Sequence, residues 1–129
     1  MKIEHVAFQV ADPVAAARWY VDHLGLEVKR AESASPFGHF LADDGGTVML
    51  EIYCNPAVPV PDYRQYDPRV VHVAFAAPDV ARTYSRLIAA GATDEGGVTT
   101  NASGDTLAMV RDPWGLAVQL VQRAQPMLG

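Results

Sequence analysis

The sequence predicts an α+β protein built from two βαβββ modules in tandem, and three observations carry that prediction. The octet IEHVAFQV, starting at Ile3, returns as VVHVAFAA from Val70, which sets His5 on His72 and Asp12 on Asp79 at one common offset of 67 residues. A repeat at a fixed offset decides architecture before any single element does. Each octet runs into an Asp-capped helical pattern that ends at a glycine, Gly25 or Gly91. Each half then closes with strand patterns folded about a turn.

Taken in order, each octet alternates apolar and small or polar residues with the period of two expected of a strand. DPVAAARWYVDHLG follows with Asp12 as N-cap, proline at the first helical position and Gly25 as terminator, and DVARTYSRLIAAG repeats the cap with Asp79 and the stop with Gly91. Val14, Ala17, Val21 and Leu24 are expected to form the buried stripe of the first helix, and Val80, Tyr84 and Leu87 that of the second. FGHFLADDGGTVMLEIY and TLAMVRDPWGLAVQLVQ then read as hairpins turning at Asp44 with its glycines and at Asp112-Pro113-Trp114-Gly115. Between the halves NPAVPVPDYRQYDP, with four prolines, reads as an extended connector. The expected organisation is one domain over residues 1–129, with module 1 at 1–54, the connector at 55–69 and module 2 at 70–123.

Composition narrows the partners. With 129 residues, half of them hydrophobic, the chain can build one compact core. A net charge of -5 with no basic run argues against nucleic acid or an acidic membrane face. Cys54 is the single cysteine, so no internal disulfide forms. The opening MKIEH runs straight into strand pattern, and no apolar stretch approaches the roughly 18 residues of a spanning helix. A cytoplasmic location and a small-molecule partner are expected.

Strand alternation sorts the side chains. Val6 and Phe8 oppose His5, Ala7 and Gln9; Val48, Leu50 and Ile52 oppose Met49, Glu51 and Tyr53. In the second half Val71, Val73 and Phe75 oppose His72 and Ala74, and Leu116, Val118 and Leu120 oppose Ala117 and Gln119. The apolar faces meet the helices, which leaves His5, Glu51, His72 and Gln119 on the other face. His5 and Glu51 are 46 residues apart and His72 and Gln119 are 47 apart, so first and last strands of each half offer one ligand-type side chain in matching register. Two imidazole nitrogens and two side-chain oxygens suit one divalent ion per site, Zn, Ni, Co, Mn or Fe.

The paired HVAF strands, HLGLEV, MLEIY and RDPWGLAVQL resemble the vicinal oxygen chelate superfamily of glyoxalases, bleomycin-resistance proteins and extradiol dioxygenases over residues 1 to about 123. The resemblance implies two βαβββ modules forming a cup-shaped mixed sheet with helices on its outer face, and a metal held at His5, Glu51, His72 and Gln119. Glyoxalase I-like members commonly have glutamate where Gln119 stands. Methylmalonyl-CoA epimerases carry the Gln and Glu in the opposite order. Extradiol dioxygenases place their carboxylate at the position of Gln119, so this chain departs from their pattern.

The site composition points to proton-transfer chemistry: a divalent-metal-dependent glyoxalase-like lyase or isomerase acting on a small 2-oxo compound or thioester through an enolate. Glu51, the carboxylate of the set, is the expected base. A water, Tyr53 or His39 can serve as the second acid or base, and His39, Met49 and Tyr53 are candidate pocket residues. Arg64 and Arg69 are candidates to hold a substrate anion or plain surface arginines, His23 a helix cap, and Trp114 turn packing. An Fe(II) extradiol-type dioxygenase and a small-molecule-binding or antibiotic-resistance protein are the alternatives. A homodimer is expected, with sites within one chain or shared across two.

Overall fold

The computed structural model describes residues 1–128. Its elements are β1 (His5–Gln9), α1 (Pro13–Leu24), β2 (Glu27–Ala31), β3 (His39–Ala42), β4 (Met49–Tyr53), a 3-10 turn (Tyr63–Gln65), β5 (Val73–Ala76), α2 (Val80–Ala89), β6 (Thr93–Thr100), β7 (Thr106–Arg111) and β8 (Ala117–Gln122). The chain divides into two compact units, Met1–Pro61 and Asp62 onwards. Each holds one helix and one open four-stranded mixed sheet, in the orders β1-β4-β3-β2 and β5-β8-β7-β6. The α+β class and the duplicated βαβββ order are those the sequence predicts.

In each unit the first and last strands are parallel, and the other pairings are antiparallel. A parallel pair needs a long crossover, here the helix and two intervening strands. Register follows from burying one face: Phe8, Leu41, Leu50 and Ile52 are buried in unit 1, and Val110, Val118 and Leu120 have no exposure in unit 2. In unit 1 α1 packs on β3 and β4, and in unit 2 α2 packs on β6, β7 and β8. Each fully buried Leu or Val contributes on the order of 1.5–3 kcal/mol.

Both helices start as their sequences predict. The Asp12 carboxylate accepts from the Ala15 N–H, with Pro13 in the first turn, and the Asp79 carboxylate accepts from the Arg82 N–H. Gly25 ends α1 at φ 71°, its N–H reaching the carbonyls of Tyr20 and Val21. The expected stripe of α1 is corrected, since its buried residues are Pro13, Ala16, Ala17, Trp19 and Tyr20, while Val14 is half exposed. Trp19 and Tyr20 bury far more apolar area than Val14 or Val21, and the helix rotates to give them the core. The first hairpin turns at Asp44 and Gly45 as expected, and Asp43 closes it by accepting from Gly46 N–H through both backbone and side-chain oxygens.

The segment expected to be an extended connector is tied down at both ends. In unit 1 the Gln9 amide donates to the carbonyls of Val58 and Pro59, and its oxygen accepts from Asn55 N–H. In unit 2 buried Arg111 donates to the carbonyls of Tyr63, Tyr66 and Gly115 and pairs with Glu95 at 2.5 Å. The 3-10 turn is therefore clamped to β7, and Tyr63 is buried. Arg64 donates to the Pro113 carbonyl and lies where a Cβ on Gly115 would stand, 2.8 Å away; Arg69 grips Asp67 through two nitrogens. Both arginines thus have structural partners.

Three carboxyls lie below their ordinary range: Asp67, held down first by its hydrogen bond from the Arg69 side chain, and Asp94 and Asp105. Asp94 is lowered first by the Gly97 N–H and then by the Tyr84 hydroxyl, and Asp105 first by the Ala124 N–H and then by Arg123. A depressed folded-state pKa stabilises above the unfolded value, near 3.8, and that stabilisation is lost as the pH falls below it. Unfolding midpoints in urea should accordingly drop between pH 5 and pH 3, and Asp94→Asn with Asp105→Asn should flatten the drop. Arg111→Met removes the side chain's four donor contacts and leaves Glu95 without its guanidinium; it should cost about 3 kcal/mol in urea unfolding, read as a lower midpoint at unchanged slope. An unchanged midpoint would mean that the clamp adds nothing.

Candidate metal centre

The parallel pairings place the candidate ligands. Ala7 lies across from Glu51 in unit 1, and Ala74 lies across from Gln119 in unit 2. Glu51 and Gln119 therefore occupy equivalent positions, each opposite the alanine two residues beyond a histidine. Alanine leaves room on that face for the longer side chains beside it. The third strand adds Phe40 opposite Glu51 and Met109 opposite Gln119.

Within unit 1 the structure brings His5 and Glu51 together, with Nε2 3.2 Å from Oε2 and both side chains partly exposed. The other ring nitrogen, Nδ1, is 2.6 Å from Glu4 Oε2. A carboxylate only accepts, so both ring nitrogens face acceptors, Nδ1 the nearer Glu4 oxygen and Nε2 the Glu51 oxygen. An imidazole nitrogen and a carboxylate oxygen 3.2 Å apart would suit a shared divalent cation. The ring also meets Phe40 edge-on at 5.5 Å between centroids, which restricts its rotation. Arg30 lies over the same Phe40.

In unit 2 the tautomer follows from a single partner: His72 Nδ1 is 2.8 Å from the Pro68 carbonyl, which only accepts, so Nδ1 carries the proton and Nε2 bears the lone pair of the neutral ring. His72 is exposed just before β5, and Gln119 is half-buried on β8. In both units a hydrogen bond on Nδ1 orients the imidazole, the arrangement usual for metal-ligating histidines. Among the described residues no group of three or more His, Cys, Asp or Glu side chains could hold a metal ion. Unit 1 presents one pair, His5 with Glu51.

The three pocket candidates separate. Met49 and Tyr53 alternate with Leu50 and Ile52 on β4 and so share the face of Glu51. His39 is paired with Ile52 and lies on the helix-covered face, buried, with Nδ1 2.6 Å from the Phe37 carbonyl. The sequence order FGHFL leaves the parity of β3 open, and pairing with β4 decides it. His39 is thus not brought beside Glu51.

Sequence reasoning missed Glu4 and Glu32. Glu4 sits one step before β1 and is held there by Met49 N–H donating to its carbonyl. Glu32 reaches the Glu51 side of the sheet through a gap left by Gly38: a Cβ at Gly38 would lie 2.5 Å from Glu32 Oε1 and 3.8 Å from Glu51 Oε1. Neither carried a signal, since an acid beside a strand usually faces water. Unit 1 also has a largely apolar groove of about 380 Å³ lined by Pro13, Val14, Phe37, Cys54 and Pro56 at the start of α1. None of the predicted site residues lines it.

The duplicated βαβββ module, with His5 on β1 and His72 just before β5, and Glu51 and Gln119 in equivalent register on β4 and β8, defines the class of fold. The chain belongs to the Glyoxalase/Bleomycin resistance protein/Dioxygenase superfamily, whose family model matches residues 2–120. The crystal structure of SMU.1112c is 30% identical and superposes with a TM-score of 0.73, covering 95% of this chain and 98% of that one. TnmS3, an antibiotic binding protein from Streptomyces sp. CB03234, is 20% identical with a TM-score of 0.71 over 96% of this chain and 97% of its own. A V278E glyoxalase I mutant from Zea mays is 20% identical with a TM-score of 0.77, covering 96% of this chain and 45% of that one. No curated protein matches the chain.

Long-range proton–nitrogen NMR spectra test the ring assignment. The neutral form of His72 should be the Nδ1–H tautomer. A dominant Nε2–H form at His72 would contradict the hydrogen bond to Pro68 and remove the free ligand nitrogen.

Proposed function

We propose that the chain is a divalent-metal-dependent lyase or isomerase of the glyoxalase type, acting on a small 2-oxo compound or thioester, with His5, Glu51, His72 and Gln119 holding one ion of Zn, Ni, Co, Mn or Fe. The observation that carries this reading is the approach of His5 Nε2 to Glu51 Oε2 at 3.2 Å with Nδ1 already engaged. The equivalent register of Gln119 supports it. The ligand set is complete only when the pairs of both units meet, within one chain or between two copies in a homodimer.

The ion, when bound, polarises a carbonyl oxygen and stabilises negative charge developing there. The chain supplies the rest. Glu51 offers a carboxylate oxygen to take a proton from the carbon beside that carbonyl, a role open to it and closed to the uncharged Gln119 amide. Phe40 keeps the His5 ring in place beside it. Met49 and Tyr53 on the same strand face give the substrate an apolar and a phenolic neighbour.

A second reading, a protein that binds a small molecule without turnover, draws support from the fold likeness to TnmS3, an antibiotic binding protein. Ring cleavage at Fe(II) is disfavoured, because Gln119 stands where the resemblance requires a carboxylate.

His5→Ala or His72→Ala should each lower divalent-ion affinity at least about tenfold, and unchanged binding of Zn, Ni, Co and Mn in both would place the ion elsewhere. Glu51→Gln should abolish solvent-deuterium exchange into the α-carbon of a 2-oxo substrate while retaining some metal binding. Oxygen uptake with catechols by the Fe(II)-loaded protein, without exchange, would select the dioxygenase; a ligand released unchanged would select the binding protein. Mixing His5→Ala with His72→Ala chains recovers part of the metal binding only if two copies share a site.

A further inference from the structure

The two half-sites differ in charge. In unit 1 His5 stands between two carboxylates, Glu4 on Nδ1 and Glu51 at Nε2, with the Glu32 carboxylate on the same side. In unit 2 both side chains, His72 and Gln119, are neutral, and the partner of His72 Nδ1 is the neutral carbonyl of Pro68. The acid nearest to His72 in sequence, Asp67, is neutralised by Arg69 through both carboxylate oxygens. The same register position thus carries an anionic carboxylate, Glu51, in one unit and an uncharged amide, Gln119, in the other.

Charge decides how strongly each half holds a divalent cation. A carboxylate ligand adds coulombic attraction that an amide oxygen lacks. A carboxylate accepting the Nδ1 proton raises the basicity of the opposite nitrogen more than a carbonyl does, in the manner of outer-shell acids behind metal-bound histidines. Glu4 is suited to that position: its backbone is fixed by Met49 N–H, so its side chain starts from a defined point one residue before His5.

We propose that the ion is held chiefly by unit 1, with His5 and Glu51 as the anchoring ligands and Glu4 as the positioning residue behind His5, and that His72 and Gln119 of unit 2 form the exchangeable half. The inference rests on the metal-dependent reading above and goes beyond it by ranking the ligands.

Titration of the full chain with Zn(II) against a competing chelator tests the ranking. His5→Ala and Glu51→Gln should each weaken binding by about a hundredfold, and His72→Ala and Gln119→Ala by about tenfold. Glu4→Gln should weaken it about tenfold in the parent, Glu4→Asp should recover part of that loss, and Glu4→Gln should add nothing in the His5→Ala background, a coupling that a merely structural role would not produce. The Glu4 side chain is exposed and the glutamine is of equal length, so this arm reads out even if His5→Ala fails to fold. Equal losses at all four ligands, or a silent Glu4→Gln, would overturn the ranking and leave the metal site standing. Parent-like affinity in all four ligand variants would overturn the metal reading itself.

Discussion

The parallel pairing of the first and last strand in each unit is the constraint on which the site depends. It sets Ala7 against Glu51 and Ala74 against Gln119. A slip of one residue would turn Glu51 into the helix-covered layer and bring Leu50 or Ile52 out, exposing apolar area and burying a charge in the same step. Burial of Phe8, Leu50 and Ile52 in one unit and of Val118 and Leu120 in the other is therefore what fixes the polar side chains on the open face. Core packing and site geometry are two results of one register.

Hydrogen bonding refines what register places. Both imidazoles have Nδ1 against an acceptor, yet one acceptor is an anion and the other a peptide carbonyl. A duplicated fold can thus hold equivalent positions and still supply unequal ligands. The edge contact with Phe40 limits His5 further, so the imidazole is positioned from two directions.

The duplication, both Asp caps, the element order and the pairing of His5 with Glu51 were legible in the sequence, because each rests on local pattern or on a repeat. What was not legible depended on long-range partners. Val14 matched a helical stripe as well as Tyr20 did, and only packing against the sheet chose between them. The parity of His39 is set by β4 rather than by its own neighbours. Arg111 looks like any strand arginine until Tyr63 and Tyr66, more than forty residues earlier, deliver their carbonyls to it. Glu4 was invisible for a different reason: adjacent residues in a strand point to opposite faces, and its reach to His5 comes from its place just outside the ladder.

One divalent ion held by imidazoles and side-chain oxygens from both units is the arrangement proposed above. X-ray absorption of the Zn(II)- or Ni(II)-loaded protein measures that donor set directly. Two imidazoles per ion with oxygen completing the shell, and one imidazole in either His5→Ala or His72→Ala, is the predicted result. A sulfur scatterer from Cys54, or a shell whose imidazole count is unmoved by both substitutions, would contradict it.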